Sequence, residues 1–358
     1  MISKDIKALT GVRFFAALWV VLFHFSAELD LISIVKPFKW FLDLGHLAVP
    51  MFFILSGFIL SHNYFPRYSL KDHAEFIYLR FARLWPVHVA SVFALMVYMG
   101  IIVVHSGHIE DSNSFQVLPF ELTMVRNWLS KDLVWNYPAW SIHVEWFAYL
   151  FLFPSAFLSF RQISNRLILL LSVSVLLAGH AFLPIAQFPG MCAEIIFLFL
   201  AGSALCRLRL LLPDFPGTWV AIAGLLLFIV AISGLFNHSI PLIYLAFALL
   251  IFGLSYDGGW ISWILSRRPI VYGGVISYSM YMTHAVVLKY FAAIGHKIGI
   301  QTLGLRIVLA FFFIGAVLIT ASAFYHLIEE PCNKALRRNS PFRSDPIKRD
   351  RHQAEGLI

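Results

Sequence analysis

Charge is what this sequence has least of. Asp, Glu, Lys and Arg make up 13% of its 358 residues, against about 25% in soluble domains. A chain so short of charge cannot clothe a water-facing surface. Cysteine is equally scarce: Cys192, Cys206 and Cys332 show no paired spacing, so neither a disulfide framework nor a thiolate zinc site is indicated. The fourteen histidines are scattered. There is no HExxH and no Cys/His pairing, so no metal set is expected. A GxSxG elbow, a Walker loop and a GxGxxG loop are all missing, which leaves a covalent serine mechanism without local support. No internal repeat, low-complexity tract or soluble second domain stands out. The opening MISKDIK leads into an apolar run too long for a signal peptide and lacking a cleavage site, so an uncleaved first span is expected.

Apolar residues are abundant. They form 60% of the chain, with 35 phenylalanines and a mean hydropathy of +0.79. The expected fold class is an all-α polytopic membrane protein. Apolar runs bounded by charged or Pro/Gly-rich segments place about ten spans near 8–28, 44–63, 84–104, 138–159, 167–184, 190–206, 217–235, 240–256, 271–293 and 304–327. The net charge of +8 raises nucleic acid as a partner, but the charges gather at the ends of apolar runs and in the last thirty residues. That is a topology signal and argues against nucleic acid. With both termini in the cytoplasm, 20 of the 27 Lys and Arg fall inside, as the positive-inside bias favours. The long outer loop, 105–137, is polar and aromatic enough to cover an acceptor. Residues 1–338 read as one membrane domain and 339–358 as a disordered basic cytoplasmic tail.

Two ionisable groups interrupt the first run, ALTGVRFFAALWVVLFHFSAE. Arg13 and His24 are eleven residues apart, on the order of 16 Å along a helix and on nearly one face. A charge inside a bilayer costs about 2.5–3.5 kcal/mol on insertion scales and so comes with a partner or a task. A polar path fits this pair; a snorkelling arginine with a packed histidine fits as well.

In LRFARLWP, Arg80 and Arg83 share a helix face and form a fork suited to phosphates; alone, they read more simply as positive-inside anchors. In YPAWSIHVEWFAYL, Ser141 and Glu145 face one direction with Trp140 close by. Glu145 reaches a depth comparable to His24, where a carboxylate orients an imidazole and raises its basicity. The plainer reading is a relay or structural carboxylate paired with Arg or His on another helix. His143 reads as a satisfied or rim polar group. In YGGVISYSMYMTHAVVL, Tyr278, Tyr281 and His284, with Ser277, make a polar stripe at helical spacing that packing alone could also explain. Glu194 is a lone buried acid with no partner in view. Glu329, in IEEP, reads as part of a helix end before Pro331.

These segments together carry a resemblance. LTGVRFFAALWVVLFHF, LSGFIL, LRFARLWP, WSIHVEWFAYLFLF, SYSMYMTH and IEEP, in this order over residues 8–338, resemble the acyltransferase 3 family of bacterial membrane O-acyltransferases. The resemblance implies a ten-helix module of the bacterial cytoplasmic (inner) membrane. It would move an acyl group, commonly acetyl, from cytoplasmic acyl-CoA (acetyl-CoA) to a hydroxyl of an outward-facing glycan or lipid-linked saccharide. With only twenty residues after Arg338, a standalone form without an SGNH domain is expected. His143 stands where the family has a small residue.

On that resemblance Arg80 and Arg83 hold the CoA phosphates and Arg13 sits near the donor's entrance. His24 is general base or is itself acylated; Glu145 orients or charges it; Trp140, Ser141, Tyr281 and His284 line the acceptor side, with Tyr281 and His284 also candidates for the oxyanion. A secondary transporter or flippase of a lipid-linked sugar is the competing class, weakened by the lack of internal symmetry. A scaffold fits poorly with so many buried ionisable groups. The acceptor's identity, the acyl length and the oligomeric state are not written in the sequence.

Overall fold

The computed structural model describes residues 5–28, 39–106, 115–128, 135–162, 192–235, 238–298 and 303–342, and among them it contains helices and no strand. The run carrying Arg13 and His24 forms one continuous helix, α1 (Lys7–Glu28), in which, between the charged end residues Lys7 and Glu28, only these two ionisable groups and a few small residues break the apolar sequence. Next come α2 (Ala48–Tyr64) and α3 (His73–Ser106). In α3, Pro86 removes one backbone donor inside a 34-residue helix. The fourth expected span is built from α4 (Trp140–Phe147), a π-helical turn over Ala148–Leu152, and α5 (Phe153–Gln162). Residues 167–184, the fifth expected span, lie outside the described residues, as does the tail from 343.

The second half continues with α6 (Cys192–Leu211), α7 (Gly217–Ile232) and α8 (Ile240–Leu254). The short α9 (Gly259–Leu265) is bent by 89° from α8. Then follow α10 (Arg268–Val275), α11 (Ser277–Ile298) and α12 (Leu303–Phe324). A second π-helical turn, Tyr325–Glu329, joins α12 to the polar α13 (Glu330–Arg338).

Among the described residues, five helical stretches are long and apolar enough to cross a membrane, or six when the bent α8–α9 pair counts as one span. The other described candidates coincide with helices that are shorter or more polar. The ten-span count and the placement of both termini go beyond this number and stay expectations. The polarity of α11 has a local cause: its first two turns carry Ser277, Tyr278, Ser279, Tyr281, Thr283 and His284, all buried against other helices. Outward, Phe93 and Val104 of α3 and Phe311, Phe312 and Ile319 of α12 are exposed, an apolar skin of the kind lipid covers.

Close helix crossings fix the bundle. α2 and α6 meet at Gly57 and Gly202, where an added Cβ would stand 2.0 Å from the Phe199 carbonyl oxygen and 1.9 Å from that of Ile54. α1 meets α10 in the same way, with the Gly274 position 1.8 Å from the Thr10 carbonyl oxygen. Small residues let helix backbones approach where no hydrophobic drive separates protein from lipid. The α2–α6 crossing thereby sets where Ser56 points, and the α1–α10 crossing sets where Arg13 points.

Gly57→Ala therefore forces two helices apart and is expected to destabilise the chain by about 1–3 kcal/mol. Gly100→Ala, with nothing within 4 Å of the new Cβ, should be neutral or stabilising by up to about 1 kcal/mol. Thermal unfolding of both variants in detergent checks the contrast; equal midpoints would contradict the crossing.

Candidate active site

Arg13, Arg80 and Arg83 arrive at one cavity of about 130 Å³, where they meet Ser56 of α2, Ser141 and Glu145 of α4, Tyr149 of the first π turn, and Ser277, Tyr278 and Tyr281 of α11. Its apolar walls come mainly from α2, including Val49, Phe52, Phe53 and Ile59. The sequence thus supplies the polar lining from α1, α2, α3, α4 with its π turn, and α11, five separated stretches that only the tertiary fold brings together.

The cations are held differently. Arg80 Nη2 donates to the Tyr64 hydroxyl at 2.6 Å, and its guanidinium lies 5.2 Å from the Tyr64 ring centre and 5.9 Å from that of Phe76. Arg83 Nη2 is 3.7 Å from Glu329 Oε1. Arg13 makes no hydrogen bond or ion pair among the described residues, so its donors remain available to the cavity. Opposite these cations stand Glu145 and Glu329. Ser56 donates to Glu145 Oε1 at 2.8 Å, and Tyr149 donates to the same oxygen. Ser279 donates to Glu329 Oε2 at 2.7 Å. Three guanidiniums face two carboxylates, which leaves one positive charge over and favours an anionic visitor.

His24 and His284 form a second group beside this cavity. His284 Nδ1 lies 2.6 Å from the Tyr281 carbonyl oxygen, so Nδ1 carries the proton and Nε2 a lone pair. His24 Nδ1 is 3.1 Å from that Nε2 and 3.1 Å from the Val20 carbonyl oxygen. Both are acceptors, so His24 Nδ1 donates, and His24 Nε2 is left with its lone pair free to take a proton. The Tyr137 ring packs on His24, with centroids 4.8 Å apart. A chain of hydrogen bonds that fixes the tautomer of a histidine and supports it once protonated is the arrangement a general base needs.

The expected partnership of Glu145 with His24 is corrected by this geometry. Glu145 bonds to Ser56 and Tyr149, and the two residues share no hydrogen bond; His284 stands behind His24 instead. Tyr281 accepts from Ser141 Oγ at 2.9 Å and donates to the Pro138 carbonyl oxygen at 3.0 Å, tying α11 to the start of α4. Trp140 is half-buried against the core and is not part of the cavity wall. Glu194 falls on α6, but its side chain lies outside the described set.

Comparison with known proteins settles the lineage. The profile of the family described as "Acyltransferase domain" matches residues 6–326. This chain belongs to the acyltransferase 3 family. The acyltransferase MdmB of Streptomyces mycarofaciens is 28% identical over 171 residues, covering 45% of this chain and 41% of that protein, so the match spans less than half of the relative's length. No solved structure matches.

Within this acyltransferase 3 chain, sequence reasoning missed four residues of the site. Glu329 is 2% exposed and ion-paired rather than a mere helix end. Tyr149, Ser56 and Tyr137 each touch a group already singled out. The one signal within reach was Tyr149, four residues after Glu145 and hence on the same helix face. Both π turns, rare inside α-helices and frequent at functional sites, fall here and carry Tyr149 and Glu329.

Ser56→Ala and Tyr149→Phe should each cost about 1–2 kcal/mol, since each removes a bond to the same buried carboxylate oxygen. The double variant should depart from additivity by at least about 0.5 kcal/mol. A double-mutant cycle on thermal unfolding in detergent measures this, and strict additivity would show that the two bonds are independent.

Proposed function

We propose that this chain is a membrane O-acyltransferase of the bacterial inner membrane. It would take an acyl group, acetyl by preference, from cytoplasmic acyl-CoA and place it on a hydroxyl of an outward-facing glycan or lipid-linked saccharide. The observation that carries this reading is the pairing of two features: a cavity with surplus positive charge, and a histidine beside it whose free Nε2 is backed by a second histidine. Family membership supports the transferase class.

In this reading the CoA phosphates rest on Arg80 and Arg83, where guanidinium forks suit phosphate oxygens. Arg13, with no hydrogen bond or ion pair among the described residues, guides the slim pantetheine arm along α1 towards His24, a distance on the order of 16 Å. His24 Nε2 removes the proton of the acceptor hydroxyl as its oxygen attacks the thioester carbonyl. The imidazolium is held through Nδ1–H to His284 Nε2. Collapse of the tetrahedral intermediate breaks the carbon–sulfur bond, and the CoA thiolate takes back the proton from His24. Glu145 keeps the arginines from repelling one another and from closing on the cavity, and is a charge-balancing group rather than the orienter of the base. Ser141 and Tyr281 shape the acceptor side.

General-base help is worth about 10²–10⁴-fold, so His24→Ala should lose that much acetyl transfer. The chain should stay folded and lose only about 1–3 kcal/mol, the cost of leaving His284 Nε2 without its donor. Arg80→Gln and Arg83→Gln should act mainly on the donor, raising KM for acetyl-CoA at least several-fold and weakening its salt dependence. Radiolabel transfer from acetyl-CoA into saccharide, in membranes bearing equal amounts of each variant, reads both. Unchanged transfer in His24→Ala would remove the base from the mechanism. Saccharide uptake into vesicles with no acyl transfer would favour the transporter reading instead.

A further inference from the structure

Between α3, the segment 115–128 and α4 lies a group of side chains that the acyl-transfer reading does not use. His88 of α3, Glu121 of the short helix Leu118–Leu122, and His143 of α4 are each 0% exposed. One ligand atom from each can be chosen so that all lie within 4.8 Å of one another. His143 Nε2 and Glu121 Oε1 are 3.7 Å apart, too far for a hydrogen bond.

The unsatisfied atoms are the telling feature. His88 Nδ1, both carboxylate oxygens of Glu121 and His143 Nε2 are buried with no hydrogen-bond partner among the described residues. The opposite ring nitrogens are engaged. His88 Nε2 lies 2.8 Å from the Glu121 carbonyl oxygen, and His143 Nδ1 lies 2.7 Å from Asn127 Oδ1. Both partners are oxygens that accept, so both engaged nitrogens are donors, and the lone pairs of the two rings turn inward to the carboxylate. Arg126 acts on Glu121 and His143 by its charge but makes no hydrogen bond to these atoms, and lone pairs crowded together without a hydrogen-bond donor are costly in a dry interior. A cation among them turns the same arrangement into a bound site. Imidazoles that donate their far N–H to a carbonyl are also the outer support that metal-bound histidines use.

We propose that His88, Glu121 and His143 bind one divalent transition-metal ion, Zn²⁺ by donor set, as a structural clamp that fastens segment 115–128 across α3 and α4. Two imidazoles and a carboxylate are a recurrent zinc triad, with the fourth position taken by water or by the second carboxylate oxygen. Tetrahedral ligands at about 2.0–2.1 Å from zinc stand roughly 3.4 Å apart, so the 3.7 Å pair is nearly in place, and His88, with a ligand atom within 4.8 Å of the others, has to draw closer to complete the set. The clamp would fix the rotation of α4, which carries Glu145 two residues beyond His143. It stands independently of the acyl-transfer reading.

The test uses the full chain purified in detergent on a resin that carries no metal. The protein is stripped with 1,10-phenanthroline, reloaded with Zn²⁺ alone and washed, and its metal content and unfolding midpoint are then measured. About one Zn²⁺ per chain and a raised midpoint are expected. Glu121→Gln and His143→Gln should lower zinc affinity at least tenfold, and Asn127→Ala, which keeps the ligand set, by about 10–100-fold. Co²⁺ loaded in place of Zn²⁺ should give visible absorption bands that these variants lose. Where a ligand variant fails to fold, the wild-type chain decides. Folded wild-type protein that retains no zinc, or whose midpoint zinc does not move, overturns the proposal. So do folded ligand variants that bind zinc as tightly as wild type.

Discussion

The structure depends on one constraint: a polar group carried into an apolar helix bundle must be matched there, because no water is at hand to match it. Arg83 is matched by Glu329, Glu145 by Ser56 and Tyr149, and His284 by the Tyr281 backbone and His24. These pairings cross between helices, so satisfying them also sets the helix rotations. The close glycine crossings do the same through sterics, and they bring Ser56 and Arg13 to the cavity. What the pairings leave over is as informative as what they consume. The cavity keeps Arg13 without an ion pair among the described residues, and His24 keeps one nitrogen lone pair, and these are the two groups that the proposed transfer draws on.

The π turns show how the bundle accommodates this. Each widens a helix by one residue where the regular spacing would misplace a side chain, Tyr149 after α4 and Glu329 after α12. A π turn gives up regular hydrogen bonding, and here each turn gains a buried polar contact at the cavity. The proposed acyl transfer and the proposed metal clamp share α4: Ser141 and Glu145 face the cavity, while His143, between them, faces Glu121 on the other side.

Much of this was legible from residues alone. Arg13 and His24 stand out because ionisable groups are rare in an apolar run, and Arg80, Arg83 and Glu145 for the same reason. Helical spacing put Ser141 with Glu145 and Tyr281 near His284. The pairings were not legible. His24 and His284 are 260 positions apart and Ser56 and Glu145 are 89 apart, and no local pattern joins such residues. Residue pattern therefore offers Glu145 as the partner of His24, where the structure places His284. Glu329 hid behind the proline that follows it, which explains a helix end well enough to mask an ion pair. His88, Glu121 and His143 have no metal-motif spacing, since their ligand atoms come from a helix, a loop segment and another helix. Of the fold, the all-helical class and nine of the ten apolar runs recur as helices, while the fifth run lies outside the described residues.

In the proposed transfer, donor and base meet through this one cavity. A structure of the protein with a non-transferable acetyl-CoA analogue in a lipid nanodisc tests it most directly. The phosphates are expected against Arg80 and Arg83, the pantetheine arm passing Arg13, and the acyl carbon within reach of an acceptor oxygen held by His24 Nε2. An analogue bound elsewhere, with the arginine-lined cavity filled by lipid or water, would contradict it.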